Sequence, residues 1–91
     1  MSLTTRIAVI SIIVEKDGAR EKVNHLLQEY SSYIIGRLGI PYRKRELSVI
    51  VVVIDAPADA ISALTGKLGL LNGVNARTIF SKKEFPVDED A

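Results

Sequence analysis

Two stretches, Ile7–Val14 and Leu47–Ile54, constrain this chain more than any other feature. Each is eight residues long, rich in Ile and Val, and broken only by one serine, Ser11 or Ser48. Branched side chains of this kind favour extended backbone, and a run apolar at odd and even positions alike reads as a strand covered on both faces. Neither run approaches the ~20 residues that a membrane-spanning helix needs. The chain is therefore expected to be built around two central strands, and no membrane contact is expected.

The segments around these runs change period. Ala19, Val23, Leu26, Leu27 and Tyr30 make one apolar stripe at helical spacing, with Ser31 and Ser32 closing it. Asp17 is the expected N-cap. Tyr33–Ile40 reads as a strand with Ile34, Gly36, Leu38 and Ile40 on one face and Ile35 and Arg37 on the other. Pro41 fits a strand end, and Tyr42–Glu46 is a charged hairpin connection. Pro57 is expected in the first turn of a second helix, whose stripe is Ile61, Leu64, Leu68 and Leu71. Asn72–Gly73 stops that helix, with glycine free to take positive φ. Val74–Phe80 is a last strand, carrying Arg77 on one face.

The order β-α-β-β-α-β predicts an α+β domain of the ferredoxin-like kind, a four-stranded antiparallel sheet in order 4-1-3-2 with two helices on one face. With 91 residues there is room for one domain only, expected over 6–81. Residues 82–91, with Glu84, Asp88, Glu89 and Asp90, are expected as an acidic, flexible tail. The body before them is modestly basic, too weakly so to argue for nucleic acid on charge alone.

Two helices cover only one face of such a sheet. The central strands are apolar on both faces, so the uncovered face is an apolar patch larger than a monomer usually exposes, with Ile7, Val9, Val49, Val51 and Val53 the residues expected at an interface. The expectation is a homo-oligomer, a dimer or tetramer, that covers these residues.

The chemistry on offer is limited. The chain has no Cys and a single His, His25, which removes disulfides, thiolate metal sites and a histidine-based triad within one copy. No cofactor or metal is expected. Asp55 and Asp59 bracket the start of the second helix, where negative charge is favourable anyway. No carboxylate pair, no Walker-type loop and no arginine at the first loop argue for an enzyme. What remains is a ligand reading. The turn at Asp17, Gly18 and Ala19 opens a helix, the topology brings the hairpin with Arg43 to the same end, and Gly36 and Gly39 leave room on the second strand. These six residues are the candidate site for a small polar ligand such as an amino acid or an anion.

Val14–Ala19, followed by Val23–Leu27, resembles the start of an ACT-type small-molecule regulatory domain, with Asp17 where those domains usually have proline. Tyr33–Pro41, Ile61–Gly69 and Asn72–Thr78 resemble the small bacterial family described as iron-only hydrogenase system regulators. The resemblance spans about residue 6 to 81, and Arg37–Leu38–Gly39 and Ser62–Gly69 are its most specific stretches. That family is ACT-like and similar in fold to the ligand-sensing domain of nickel-responsive repressors. The resemblance implies a cytoplasmic, oligomeric, non-catalytic regulator linked to hydrogenase maturation. Nickel sensing through histidines and a cysteine is not expected, since those residues are missing here. With five residues ahead of Arg6, DNA contact is expected only through a protein partner. The alternative is a ligand-free oligomeric adaptor that holds a protein partner. A small ferredoxin-like enzyme stands third.

Overall fold

The computed structural model describes residues 3–87. The expected acidic end at Asp88, Glu89 and Asp90 lies outside the described residues. The elements run β1 (Thr4–Glu15), α1 (Arg20–Glu29), β2 (Ile34–Tyr42), β3 (Leu47–Ala56), α2 (Ala58–Gly69), β4 (Val74–Phe80) and β5 (Phe85–Pro86). All strand pairings are antiparallel, and the sheet runs β2-β3-β1-β4, with β5 paired to β1 outside this path. The two most apolar runs are thus the two inner strands. They are paired over their whole length, from Arg6 opposite Ala56 to Glu15 opposite Leu47.

Alternation of side chains splits the two runs between two environments. Ile10, Ile12 and Val14 of β1 and Val52 and Ile54 of β3 are fully buried. They meet Val23 and Leu27 of α1 and Ile61, Leu64 and Leu68 of α2, all fully buried too. Both helices therefore lie on the even-numbered face of β1 and β3. Ser48 is the buried polar residue of this core, and its Oγ accepts a hydrogen bond from the Arg20 guanidinium at 2.9 Å. That contact ties the start of α1 to β3 and removes the cost of an unpaired buried hydroxyl.

Three details depart from the sequence expectation. The sheet has five strands, not four. After β4 the chain turns and lays Phe85 and Pro86 beside Thr5 and Thr4. The carbonyls of Ile7 and Leu3 accept in turn from the Ser81 and Val87 amides, at 2.7 and 3.1 Å. Residues of like parity point their carbonyls to the same edge of a strand. So β5 continues along the edge of β1 that β4 has just left, and residues 82–87 return to the sheet. Second, the register of β2 slips between Ile34 and Gly36. The bulge sends Ile34 opposite Ile54 and onto the helix-side core, while Gly36, Leu38 and Ile40 stand opposite Val53, Val51 and Val49. Arg37 falls on the helix side, where it donates to Asn24 of α1 at 3.2 Å. Third, the N-cap of α1 is Ala19, with no side-chain cap bond, and Pro57 is the N-cap of α2 rather than its first helical residue.

β5 is fastened by charge. Glu84 accepts from Thr4 Oγ1 at 2.7 Å and from Arg6 Nη2 at 3.0 Å. The Thr4 hydrogen bond, then Arg6, holds its carboxyl below the usual carboxylate range. A depressed folded value means that this contribution is present above the unfolded pKa and is lost as pH falls through the folded one. The expected result is a Glu84 carboxyl carbon that titrates by NMR below an ordinary glutamate, with Thr4→Val moving it back up. An unchanged titration in Thr4→Val would remove the hydroxyl from this account.

Candidate functional site

The end of the molecule where β1 hands over to α1 holds four of the six candidate ligand residues. Its geometry follows from two glycines. The second helix ends at Gly69 with Leu70 as its C-cap, short of the expected stop at Asn72–Gly73, and Gly73 instead shapes the turn into β4, with φ +68°, the left-handed region that favours glycine. A Cβ placed on Gly73 would lie 2.7 Å from Gly18 Cα, and one on Gly18 would lie 2.7 Å from the Gly73 carbonyl oxygen. The two residues pack backbone to backbone, so the space beside Gly18 is filled by the chain itself.

This close approach lets the 72–73 turn take up the free donors of the first turn. The Glu15 amide donates to the Gly73 carbonyl at 2.8 Å, and the Ala19 amide to the Asn72 carbonyl at 2.9 Å. Gly18 donates to Glu15, and Arg20 to Gly18. Ala19 is thus satisfied by backbone, which is the physical reason why Asp17 is not needed as a cap. Among the first amides of α1, those of Glu21 and Lys22 keep no such partner, and Glu21 sets its own carboxylate on that turn.

The hairpin between β2 and β3 lies at the same end. Residues Arg43–Arg45 form one short helical turn, closed by Glu46 at φ 56°, and the Glu46 amide donates to the Arg43 carbonyl at 3.1 Å. Lys16 Nζ reaches Glu46 Oε1 at 2.9 Å, an exposed pair that links the hairpin to the first turn. Asp17, Gly18, Ala19 and Arg43 therefore lie at the same end of the sheet. Gly36 and Gly39 are not part of that group. They lie along β2 on opposite faces, and no atom stands within 4 Å of where their Cβ atoms would be. Gly36 is seven residues from Arg43, about 23 Å at ~3.3 Å per residue.

The residues expected at an interface do come together. Ile7, Val9, Val49, Val51 and Val53 share the face of the sheet turned away from both helices, in register as Val9 opposite Val53 and Ile7 opposite Asp55. Each is half-buried. Around them Leu38 is 57% exposed, Ile40 47%, Ile13 38% and Ile79 73%. Arg77, on β4 opposite Ser11, and Asp55, on β3 opposite Ile7, are charged groups on the same face.

A model of the TM1266-like family, described as "Iron-only hydrogenase system regulator, putative", matches residues 6–78. The chain belongs to the TM1266-like family. Among solved structures, that of uncharacterized protein TM1266 from Thermotoga maritima is similar, with a TM-score of 0.82 and 37% identity. The likeness covers 86% of this chain and 99% of that one. A search of curated proteins gives no match. The matched span of the TM1266-like model runs from the start of the β1–β3 pairing into β4, so it takes in the first turn, the hairpin and the open sheet face. Among the described residues, no helix is long and apolar enough to cross a membrane.

Two features of this surface escape a reading of the sequence. Glu46 adopts a left-handed conformation unusual for a residue with a side chain, and nothing in Tyr42–Leu47 signals it. Asp55, at the end of β3 just before α2, is half-buried on the open face, and its Oδ1 is shielded from solvent with no hydrogen-bond partner.

Proposed function

We propose that this chain is a ferredoxin-like, ACT-like regulatory module over residues 6–81, without a catalytic step of its own. It acts as a dimer or tetramer that covers the open sheet face with a second copy. Its role belongs to the regulation or maturation of an iron-only hydrogenase system. The observation that carries the reading is the open face, where an aliphatic centre of Ile7, Val9, Val49, Val51 and Val53 is ringed by exposed Leu38, Ile40 and Ile79. The description of the family supports the regulatory part.

The ligand of this module is a small polar molecule, an amino acid or an anion, held at the first-turn end by Arg43 and the turn at Asp17, Gly18 and Ala19. The cluster of Arg43, Lys44 and Arg45 beside the start of α1 supports it. A second reading, a ligand-free adaptor for a protein partner, is favoured by the packing of Gly73 into the space beside Gly18. A thermal-shift series with amino acids, nucleotides, inorganic anions and divalent metals separates the two. Sensing predicts a saturable rise in Tm for one class, worth about 2.7 kcal/mol at 100 times Kd, and its loss in Arg43→Ala. A flat series across all four classes would overturn the ligand reading and leave the adaptor.

A further inference from the structure

The sheet ends on one side at β2, and among the described residues no strand pairs with its outer edge. A bare edge presents a row of unpaired N–H and C=O groups, which proteins ordinarily blunt with a lysine, a proline or a bulge. In β2 the bulge between Ile34 and Gly36 guards one end and Pro41 the other. Between them Gly36–Ile40 is exposed at every residue and holds no lysine.

This unguarded stretch matches a second copy of itself. Its middle residue is Leu38. Antiparallel pairing of two β2 strands about Leu38 sets Leu38 opposite Leu38, Gly36 opposite Ile40, and Arg37 opposite Gly39. Each pair has one parity, so the two sheets keep the same face up. Each glycine then lies beside a bulky side chain. In the single chain, no atom stands within 4 Å of where a Cβ on Gly36 or Gly39 would be, so that space is free to receive one. Other registers fit worse. Centring the pair on Arg37 opposes its guanidinium to its own copy, and like charges directly opposite are unfavourable. Centring it on Gly39 sets the two glycines together and draws in Pro41, which has no N–H to give. The other edge strand, β4, has Arg77 at its middle and meets the same repulsion.

We propose that β2 pairs with β2 of a second copy about Leu38, joining two sheets into one across a two-fold axis. This rests on the sheet-to-sheet reading of the open face and fixes the subunit number at four. The edge continues the open face, since Gly36, Leu38 and Ile40 lie on its border. When the sheet-to-sheet two-fold runs across the strands, a face-packed pair carries both β2 edges on the same side. Two such pairs then meet through both edges and close as a tetramer. A single edge, ~30 Å long and ~10 Å thick, buries about 600 Å2, below the roughly 1,200 Å2 of a stable interface. Two edges together reach it. Edge pairing therefore depends on face packing.

The test is sedimentation equilibrium of the full chain at micromolar concentration, beside the variant Val51→Glu. The native chain is expected at four times the single mass. Gly39→Arg is expected at twice, because the new guanidinium opposes Arg37 at both ends of each pairing. Position 39 is open in the single chain and lies on the helix side, off the sheet-to-sheet contact. Adding Arg37→Glu to Gly39→Arg restores opposite charges in this register and is expected to restore four. Val51→Glu falls to one. Leu38→Cys, in a chain with no other cysteine, is expected to form a disulfide-linked pair on mild oxidation. A native mass of two, or Gly39→Arg that stays at four, would overturn edge pairing and leave the sheet-to-sheet reading standing. A tetramer of Leu38→Cys that does not link would overturn the register. A native monomer would overturn the sheet-to-sheet reading, and edge pairing with it.

Discussion

Replacing Gly73 with alanine is expected to destabilise the fold by about 2–5 kcal/mol. Two costs combine. The residue sits at φ +68°, where a side chain costs about 1–2 kcal/mol. The new Cβ would also lie 2.7 Å from Gly18 Cα and 3.1 Å from Gly18 N. Both are backbone atoms, so no rotamer change can relieve the contact, and overpacking of this kind costs about 1–3 kcal/mol. Gly18→Ala lacks the first cost but meets the Gly73 carbonyl at 2.7 Å and the Glu15 carbonyl at 3.0 Å, so about 1–3 kcal/mol is expected. The double variant should lose less than the sum, because one added Cβ already separates the two turns. Urea unfolding of the three variants measures this. Additive losses would mean that the glycines do not act through their mutual contact.

That result also bears on the candidate ligand site. A bulky group at Gly18 would break the packing of the 72–73 turn before it could block a ligand. Arg43, exposed on the hairpin, is the residue whose removal tests binding without that complication.

Val51→Glu is expected to abolish self-association while leaving the chain folded. Val51 stands near the centre of the open face, opposite Ser11 on one side and Leu38 on the other, and points away from both helices. The face is large enough to matter. A β1–β3 pairing about 33 Å long and four strands at ~4.8 Å give about 600 Å2 per copy, or about 1,200 Å2 for a pair. That reaches the low end of the roughly 1,200–2,000 Å2 typical of stable interfaces. Desolvating a carboxylate in this aliphatic face costs about 3 kcal/mol or more, over 100-fold in Kd, a two-fold interface carries it twice, and Arg77, two strands away, is the one cation on that row. Circular dichroism should be unchanged, because the helix-side core of Ile10, Ile12, Val52 and Ile54 is untouched. A variant that associates as the native chain does would move the interface off this face.

The inner strands, both helices and the positive φ of Gly73 were legible because each has a local cause, although α2 itself ends earlier, at Gly69. Branched runs, a 3.6-residue stripe and a residue able to take positive φ are all visible over a few positions. What escaped depends on distant partners. β5 is two residues long, includes a proline, and is held by Glu84 reaching Thr4 and Arg6 from the far end of the chain. The bulge in β2 is hidden because Ile34 and Ile35 are both isoleucine, and only the register with β3 decides which one is buried. Asp17 fits a cap by spacing, but the Asn72 carbonyl reaches the Ala19 amide first. At the candidate site, the turn and the hairpin could be brought together from topology alone. Gly36 and Gly39 could not be placed, since an open strand position and a ligand contact look alike in sequence. The spacing of Asp55 before Pro57 suits a charge at the helix start, while its place on the open face depends on the register with Ile7, which the local sequence does not show.

The central claim is that the open sheet face is covered by a second copy of this chain. Sedimentation equilibrium of the native chain over a range of micromolar concentrations tests it most directly. A mass of twice or four times the single chain, falling to one chain in Val51→Glu, is the predicted result. A native chain that sediments as a monomer throughout that range would contradict it.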